Sequence, residues 1–347
     1  WENIKIKVIK DKNMNKLNGK FFNSIIVEEK NGKFYKNIKK KKISELPDGD
    51  LLIKVEYSSL NYKDALSFYG NKGVTKYYPH TPGIDASGIV EESSDSRFNV
   101  GDAVIVTSYD LGMNTSGGFG QYIRVPASWV VPLPDGLNLK ESMIYGTAGF
   151  TAALSVYELQ KYGVNPTKGE IVVSGSTGGV GSVAVMVLAK MGCNVTAVTG
   201  KMSQSNYLKE LGAKNIIDRR ELEADPKLIG KGTWDGVIDT VGGNILANAL
   251  TQTKHSGIVA ACGNASGNKL NTSVIPFILR GVKLWGIDSI VVSKKRKEFV
   301  WGEVSKLIDF SVLEKSVKVV SLSELLNIFP SMLEGKLSHK VLVDLNK

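Results

Sequence analysis

The residues Gly175-Ser176-Thr177-Gly178-Gly179-Val180-Gly181 lie between the apolar run Ile171-Val172-Val173 and the apolar stretch from Val183 to Leu188. That order reads as a buried strand feeding a glycine-rich turn and then a helix. Glycines let such a turn bend tightly and approach a pyrophosphate, while the open amides of the helix N-terminus add donors at the positive end of its dipole. The spacing departs from G-x-G-x-x-G, because Ser176 and Thr177 stand where a second glycine would. A plain tight turn would use the same glycines, so the surrounding elements decide the reading.

Those elements alternate between strands and helices. After the first helix come the strand Asn194–Thr199, a helical stretch through Leu208 and Leu211, and the strand Asn215–Asp218. Trp234–Val241 and Gly257–Gly263 follow, both apolar and both closed by glycine. Apolar runs of this kind are buried parallel strands, and the alternation predicts a doubly wound Rossmann sheet with its ligand along the strand tips. A site for NAD would place an acid about 20 residues past the glycine turn, to bond the ribose 2′-hydroxyl. The chain instead has Thr199-Gly200-Lys201 there and Arg219 at the next strand tip. A hydroxyl, a backbone amide and two cations suit a 2′-phosphate, so NADPH is the expected cofactor. As ordinary surface cations, Lys201 and Arg219 would carry no such meaning.

At 347 residues, with 42% hydrophobic and 22% charged residues, the chain can build two domains with substantial cores. No apolar run approaches the roughly 20 residues of a bilayer span and no secretory leader is visible, which predicts a cytoplasmic protein with no membrane partner. Residues 1–42 hold 13 lysines against four acidic residues, and so nine of the ten net positive charges. Residues 1–20 are expected to form a basic N-terminal extension, and Lys39–Lys42 a solubilising loop rather than a nucleic-acid surface. Cys193 and Cys262 read as core residues in a reducing compartment. His80, His255 and His339 lack ligand spacing and read as surface or hydrogen-bonded histidines.

Before the nucleotide-binding region, short strands around residues 22–27, 51–55, 88–90 and 103–106 alternate with glycine and proline turns, including Asn31-Gly32. They predict a β-rich domain, to which a C-terminal strand–helix–strand–helix–strand series from Val282 could return. Five ordered motifs then become specific: Ser58–Leu66, Pro82-Gly83-Ile84-Asp85, Gly146–Ala152, Asp239–Gly243 and Pro276–Val282. Together they resemble the zinc-free medium-chain dehydrogenase/reductase superfamily, and within it the acryloyl-CoA reductase group, long labelled putative quinone oxidoreductases. The resemblance covers residue 22 to the C-terminus.

It implies an α/β fold in which a GroES-like β-rich catalytic domain, residues 21–144 with 285–347, is split around a Rossmann doubly wound parallel sheet over residues 145–284. It also implies a homodimer and NADPH-dependent reduction of an activated carbon–carbon double bond. Matched by position, the cofactor contacts would be Tyr62, then Thr177, Gly178, Gly179 and Val180 under the pyrophosphate. Thr199, Gly200, Lys201 and Arg219 would meet the 2′-phosphate, with Asn264, Ile278 and Ser289 nearer the nicotinamide. Lysine at 201 keeps a charge but lacks the bidentate geometry of arginine. A catalytic zinc in this superfamily needs a cysteine in the first domain and a Gly-His-Glu element. No cysteine precedes Cys193, and Pro82-Gly83-Ile84-Asp85 stands at that element, so no metal is expected. Tyr62, with Asn61 and Asp64 beside it, is the candidate for ordering the nicotinamide or relaying the proton, Asp64 fixing the local geometry. Asn61 and Asp64 could equally cap the helix Ala65–Phe68, and Asp85 could bond only its own turn. Two other functions fit the residues: an NADPH:quinone oxidoreductase, and a non-enzymatic NADPH-sensing or RNA-binding module.

Overall fold

The computed structural model describes residues 17–164, 169–337 and 339–347, so the expected basic extension lies outside the described residues apart from 17–20. The chain forms two compact units. The first runs to Thr147 and includes Ile290–Phe299 and Val317–Lys347; the second holds Ala148–Ser289 and Val300–Ser316. The sequence reading keeps 285–347 in one domain, whereas Val300–Ser316 groups with the second unit.

The first unit is β-rich, as its short alternating runs predict. Its seven-stranded sheet contains β3 (Leu51–Ser59), β4 (Asp85–Ser93), β5 (Ala103–Thr107), β6 (Tyr122–Val125), β7 (Val130–Pro132), β14 (Val317–Val320) and β15 (Lys340–Asp344). The order is β14-β15-β3-β4-β5-β7, with β6 also paired to β3. Ile53, Val55, Val104, Val106, Phe119, Val341 and Val343 from these strands and their connections build one buried core.

A separate hairpin joins β1 (Phe21–Lys30) to β2 (Lys33–Lys42) in unbroken antiparallel register from Phe21↔Lys42 to Lys30↔Lys33. Here the expectation of a solubilising loop at Lys39–Lys42 is overturned, because those lysines lie in β2. Asn31 and Gly32 take φ of 52° and 72°, the left-handed pair that a two-residue hairpin turn needs to match strand twist. Once that turn fixes the register, backbone pairing suffices; Lys39 Nζ pairs with Glu28 Oε1 at 2.8 Å, and Lys36 Nζ lies 5.3 and 4.8 Å from the Phe68 and Tyr69 ring centroids. Lys41 is drawn further in and donates to Ser116 Oγ at 3.0 Å.

The second unit holds a six-stranded sheet of β8 (Glu170–Ser174), β9 (Asn194–Thr199), β10 (Asn215–Asp218), β11 (Trp234–Asp239), β12 (Thr253–Ala261) and β13 (Lys283–Gly286). The order is β10-β9-β8-β11-β12-β13, with every neighbouring pair parallel. This is the doubly wound arrangement that the apolar runs predict, with the order reversing direction at β8. Val172, Val198, Val237, Ile245, Leu250 and Val259 are buried between this sheet and the helices on it.

Candidate active site

In the second unit, the glycine turn leaves β8 and enters helix α3 (Gly179–Lys190). Gly175 takes φ of 60°. A Cβ on Gly181 would lie 2.7 Å from Ser176 Cα and 2.8 Å from the Gly175 carbonyl carbon, so only glycine lets the helix start this close to the turn. The N-cap of α3 is Gly178, and no side chain caps the helix. Its first amides are therefore open to an anion.

Behind the turn, the tips of β8 and β11 are tied together. Ser174 Oγ donates to Asp239 Oδ1 at 2.7 Å, and the Gly242 amide donates to Asp239 Oδ2 at 2.8 Å. Thr240 Oγ1 donates to the Ser174 carbonyl at 2.8 Å. Burial pushes the Asp239 carboxyl upward from its ordinary range. Sequence reasoning quoted Asp239 and Thr240 without giving them this role; the signal was an acid ending an apolar strand.

The expected 2′-phosphate residues gather at the tips of β9 and β10. Thr199 and Asp218 are register partners in these two strands. Thr177 Oγ1 lies 3.2 Å from Thr199 Oγ1, and the Lys201 amide donates to Thr199 Oγ1 at 3.0 Å. Desolvation lowers the Lys201 ammonium. The side chain of Arg219 crosses Gly200, where a Cβ would meet its Cδ at 2.8 Å. This donor set and the uncapped helix fit a phosphorylated dinucleotide.

Asn264 follows β12 and lies beside Gly242, whose Cβ would approach its Cα to 3.3 Å. Ser289 is half-buried beyond β13. Ile278 lies on the surface. It is 68% exposed on a short helix, Ile275–Arg280, whose last residue bonds the carbonyls of Thr251 and Thr253 at the starting end of β12.

In the first unit, Tyr62 opens helix α1 (Tyr62–Phe68) behind the N-cap Asn61 and is 45% exposed. Asp64 is wholly buried, its Oδ2 accepting from the Asn61 amide at 2.7 Å and its Oδ1 from the Ile84 amide at 2.8 Å. Burial pushes its carboxyl up to about 8, against the pull of these amides. Asp64 thus fixes the start of α1 and the β4 approach.

Asp85 does more than bond its own turn. Its Oδ2 accepts from Ser59 Oγ at 2.6 Å, Asn61 Nδ2 at 2.8 Å and the Thr147 amide at 2.9 Å, and its Oδ1 from Thr147 Oγ1 at 2.5 Å. The Thr147 amide turns to Asp85 where helix α2 (Leu139–Lys161) breaks at Gly146, whose φ is 53° and ψ −162°. At the same break the Tyr145 carbonyl accepts from Lys340 Nζ at 2.9 Å.

Lys297 is fully buried, donates to the Thr107 carbonyl and lies 3.8 Å from the Tyr109 ring centroid. Burial lowers Lys297 to about 7 and Lys340 to about 8, opposed in each case by the Asp85 charge. Neither lysine was among the sequence candidates, because composition marks lysine as a surface residue.

Comparison with known proteins brings these features together. Residues 47–135 match the family described as alcohol dehydrogenase GroES-like domain, and residues 179–309 the family described as zinc-binding dehydrogenase. The probable acrylyl-CoA reductase AcuI of Escherichia coli is 42% identical over 93% of this chain and 99% of its own. The putative quinone oxidoreductase YhfP of Bacillus subtilis is 44% identical over 87% of this chain and 92% of its own, and the crystal structure of yhfP with NAD bound superposes with a TM-score of 0.90 at 41% identity, covering 94% of this chain and all of that one. The yhdH oxidoreductase of Salmonella enterica, solved in complex with NADP, gives a TM-score of 0.90 at 40% identity over 93% of this chain and 99% of that one.

The zinc implied by one family description does not fit the residues present. The oxygens of Asp85 already accept from four donors. His80 is engaged with the Gly112 carbonyl at 2.9 Å, and burial holds it down to about 4. Among the described residues, no group of three or more His, Cys, Asp or Glu side chains is placed to hold a metal ion. Cys193 and Cys262 are unpaired, and burial pushes the Cys262 thiol up to about 12. With a GroES-like unit, a doubly wound unit and relatives above 40% identity over nearly the whole length, this chain is an oxidoreductase that belongs to the medium-chain dehydrogenase/reductase superfamily.

Proposed function

We propose that this chain catalyses NADPH-dependent, zinc-independent reduction of an activated carbon–carbon double bond, with a short-chain enoyl-CoA thioester such as acryloyl-CoA as its substrate. The observation that carries the cofactor is the tip of β9, where Thr199, Gly200, Lys201 and Arg219 meet with no free acid in the ribose position. The substrate class rests on the similarity to the E. coli protein named a probable acrylyl-CoA reductase. When bound, NADPH supplies a hydride, which adds at Cβ of the enoyl group.

The chain's own residues do the rest. The α3 amides and the glycine turn bind the pyrophosphate, and Lys201 and Arg219 bind the 2′-phosphate. Tyr62, with its hydroxyl on an accessible side chain, orders the nicotinamide or passes the proton to Cα. Asn61 is held by Asp85 at 2.8 Å, and Asp64 anchors the helix start, so both keep Tyr62 in place. Residues 21–144 with 285–347 act as the catalytic domain, residues 145–284 as the cofactor domain, and two copies form a homodimer in the cytoplasm.

A second reading, NADPH:quinone oxidoreductase, is favoured by the name of the B. subtilis relative. A non-enzymatic NADPH-sensing or RNA-binding role is the third. NADPH oxidation measured against acryloyl-CoA, crotonyl-CoA and a soluble quinone separates them. Turnover of the thioesters well above the quinone is expected, and turnover of the quinone alone would overturn the proposal. Lys201→Ala combined with Arg219→Ala should lower the NADPH-to-NADH affinity ratio by at least tenfold, from charge-assisted bonds of about 1.5–3 kcal/mol each.

A further inference from the structure

Arg219 does not stand alone at the tip of β10. Its Nε lies 2.7 Å from Glu223 Oε1, one helical turn along, while its Cδ rests over Gly200. This bond uses Nε and leaves both terminal amino groups of the guanidinium as donors. Asp218, at the same tip, is turned away from Arg219. Asp218 Oδ1 accepts from the Arg220 amide and Nε, each at 3.0 Å, and Oδ2 from Arg220 Nη2 at 2.6 Å. These bonds hold the Asp218 carboxyl down to about 2. Glu223 is therefore the acid coupled to the arginine over Gly200.

We infer that Glu223 is a specificity-determining residue that tempers the preference for NADPH over NADH, an inference resting on the reading of this strand tip as the 2′-phosphate site. A phosphate bonded to the terminal amino groups of Arg219 lies across one guanidinium from the Glu223 carboxylate, and the two anions repel. NADH carries an uncharged hydroxyl at the same position and is not opposed. The arrangement keeps Arg219 folded over Gly200 without an empty phosphate pocket bearing an uncompensated cation, and it leaves NADH a usable ligand.

Glu223→Gln separates charge from geometry, because the amide oxygen still accepts from Nε. With charges about 7 Å apart in a water-like dielectric and partly screened at 0.15 M salt, removing the Glu223 charge should tighten NADPH by roughly two- to fivefold. NADH affinity should stay within error, and the gain should fade in 1 M salt. Dissociation constants of the full chain for NADPH and NADH are read by fluorescence titration or calorimetry, with no turnover involved. An unchanged or weakened NADPH affinity in Glu223→Gln would overturn the inference and leave the residue as a mere tether. If Lys201→Ala with Arg219→Ala also leaves the NADPH-to-NADH ratio unmoved, the phosphate pocket itself has been misassigned; a ratio that falls in that double variant while Glu223→Gln changes nothing sinks only the role of Glu223.

Discussion

Replacing Asp85 by asparagine tests the buried cluster of the first unit. The wild-type carboxylate accepts from Ser59 Oγ, Asn61 Nδ2, Thr147 N and Thr147 Oγ1, at 2.6, 2.8, 2.9 and 2.5 Å. Asparagine has one oxygen, which at the Oδ2 position keeps three of the four donors and turns the amino group towards Thr147 Oγ1, so at least one loses its acceptor. A buried donor left unpaired costs about 1–3 kcal/mol. Lys297 and Lys340 also lose the anion that favours their charged forms. Together these effects should destabilise the protein by about 3–5 kcal/mol near pH 6, a drop in Tm of roughly 6–20 °C for a unit of this size.

The penalty should depend on pH, and the sign is fixed by the lysines. Their folded values of about 7 and about 8 lie below the ordinary lysine value of 10.5. Between about pH 7 and 10 these two lysines therefore bind more protons in the unfolded chain than in the folded one, and their contribution to stability rises with pH, against that of Asp64, whose carboxyl burial holds up at about 8. Loss of Asp85 lowers both lysines further, so the variant gains stability with pH more steeply than wild type. The gap between them should narrow towards the hydrogen-bond contribution alone by about pH 9. Urea unfolding followed by far-UV circular dichroism at both pH values measures it. A destabilisation below about 1 kcal/mol, or a gap equal at the two pH values, would refute the assignment of Asp85 as counter-charge and acceptor.

Tyr62→Phe should lower kcat on crotonyl-CoA by about 10²-fold, within the range for general acid catalysis, and lower quinone reduction less; equal steady-state rates on crotonyl-CoA would reduce Tyr62 to packing. Gly181→Ala places a Cβ 2.7 Å from Ser176 Cα and 2.8 Å from the Gly175 carbonyl carbon, backbone atoms that cannot step aside. It should cost about 1–3 kcal/mol of stability and weaken both nucleotides by at least tenfold, as read by calorimetric titration. Activity should survive exhaustive chelation, and elemental analysis should find far less than one zinc per chain; chelator-sensitive turnover with stoichiometric zinc would refute the metal-free site.

Much of the second unit was legible because its central strands β8, β9 and β11 are buried and read as continuous apolar runs, with the half-exposed edge strand β10 marked by its place in the alternation. Asn194–Thr199 and Asn215–Asp218 begin and end where the sequence places them. The glycine turn was legible for a related reason, since Gly175 and Gly181 sit where other residues would strain or clash. The hairpin strand Lys33–Lys42 was not, because its ladder is backbone pairing, while its lysine side chains resemble a solvated segment. Lys297 and Lys340 were hidden for the opposite reason: each carries a charge into the interior, and only tertiary placement of Asp85, Thr107 and Tyr145 makes that tolerable. The role of Thr147 depended on a helix break at Gly146. A glycine within an apolar helix hints at such a break but does not say which partner the amide after it will find.

The strand order of the first unit also bears on how the chain is made. β3 has β15 beside it along Tyr57–Ser59, although β15 is translated only after the whole second unit. Until residues 148–316 have been translated, about 10–30 s at typical elongation rates, that stretch of β3 is an open edge, and the Tyr145 carbonyl has no Lys340 to meet it. The nascent first unit therefore waits, incomplete, while the second is being translated. An unpaired edge of this kind is a template for mispairing with other chains. Slow elongation across residues 148–316, or loss of Lys340–Asp344, should thus reduce soluble yield even when every residue of the nucleotide turn is intact.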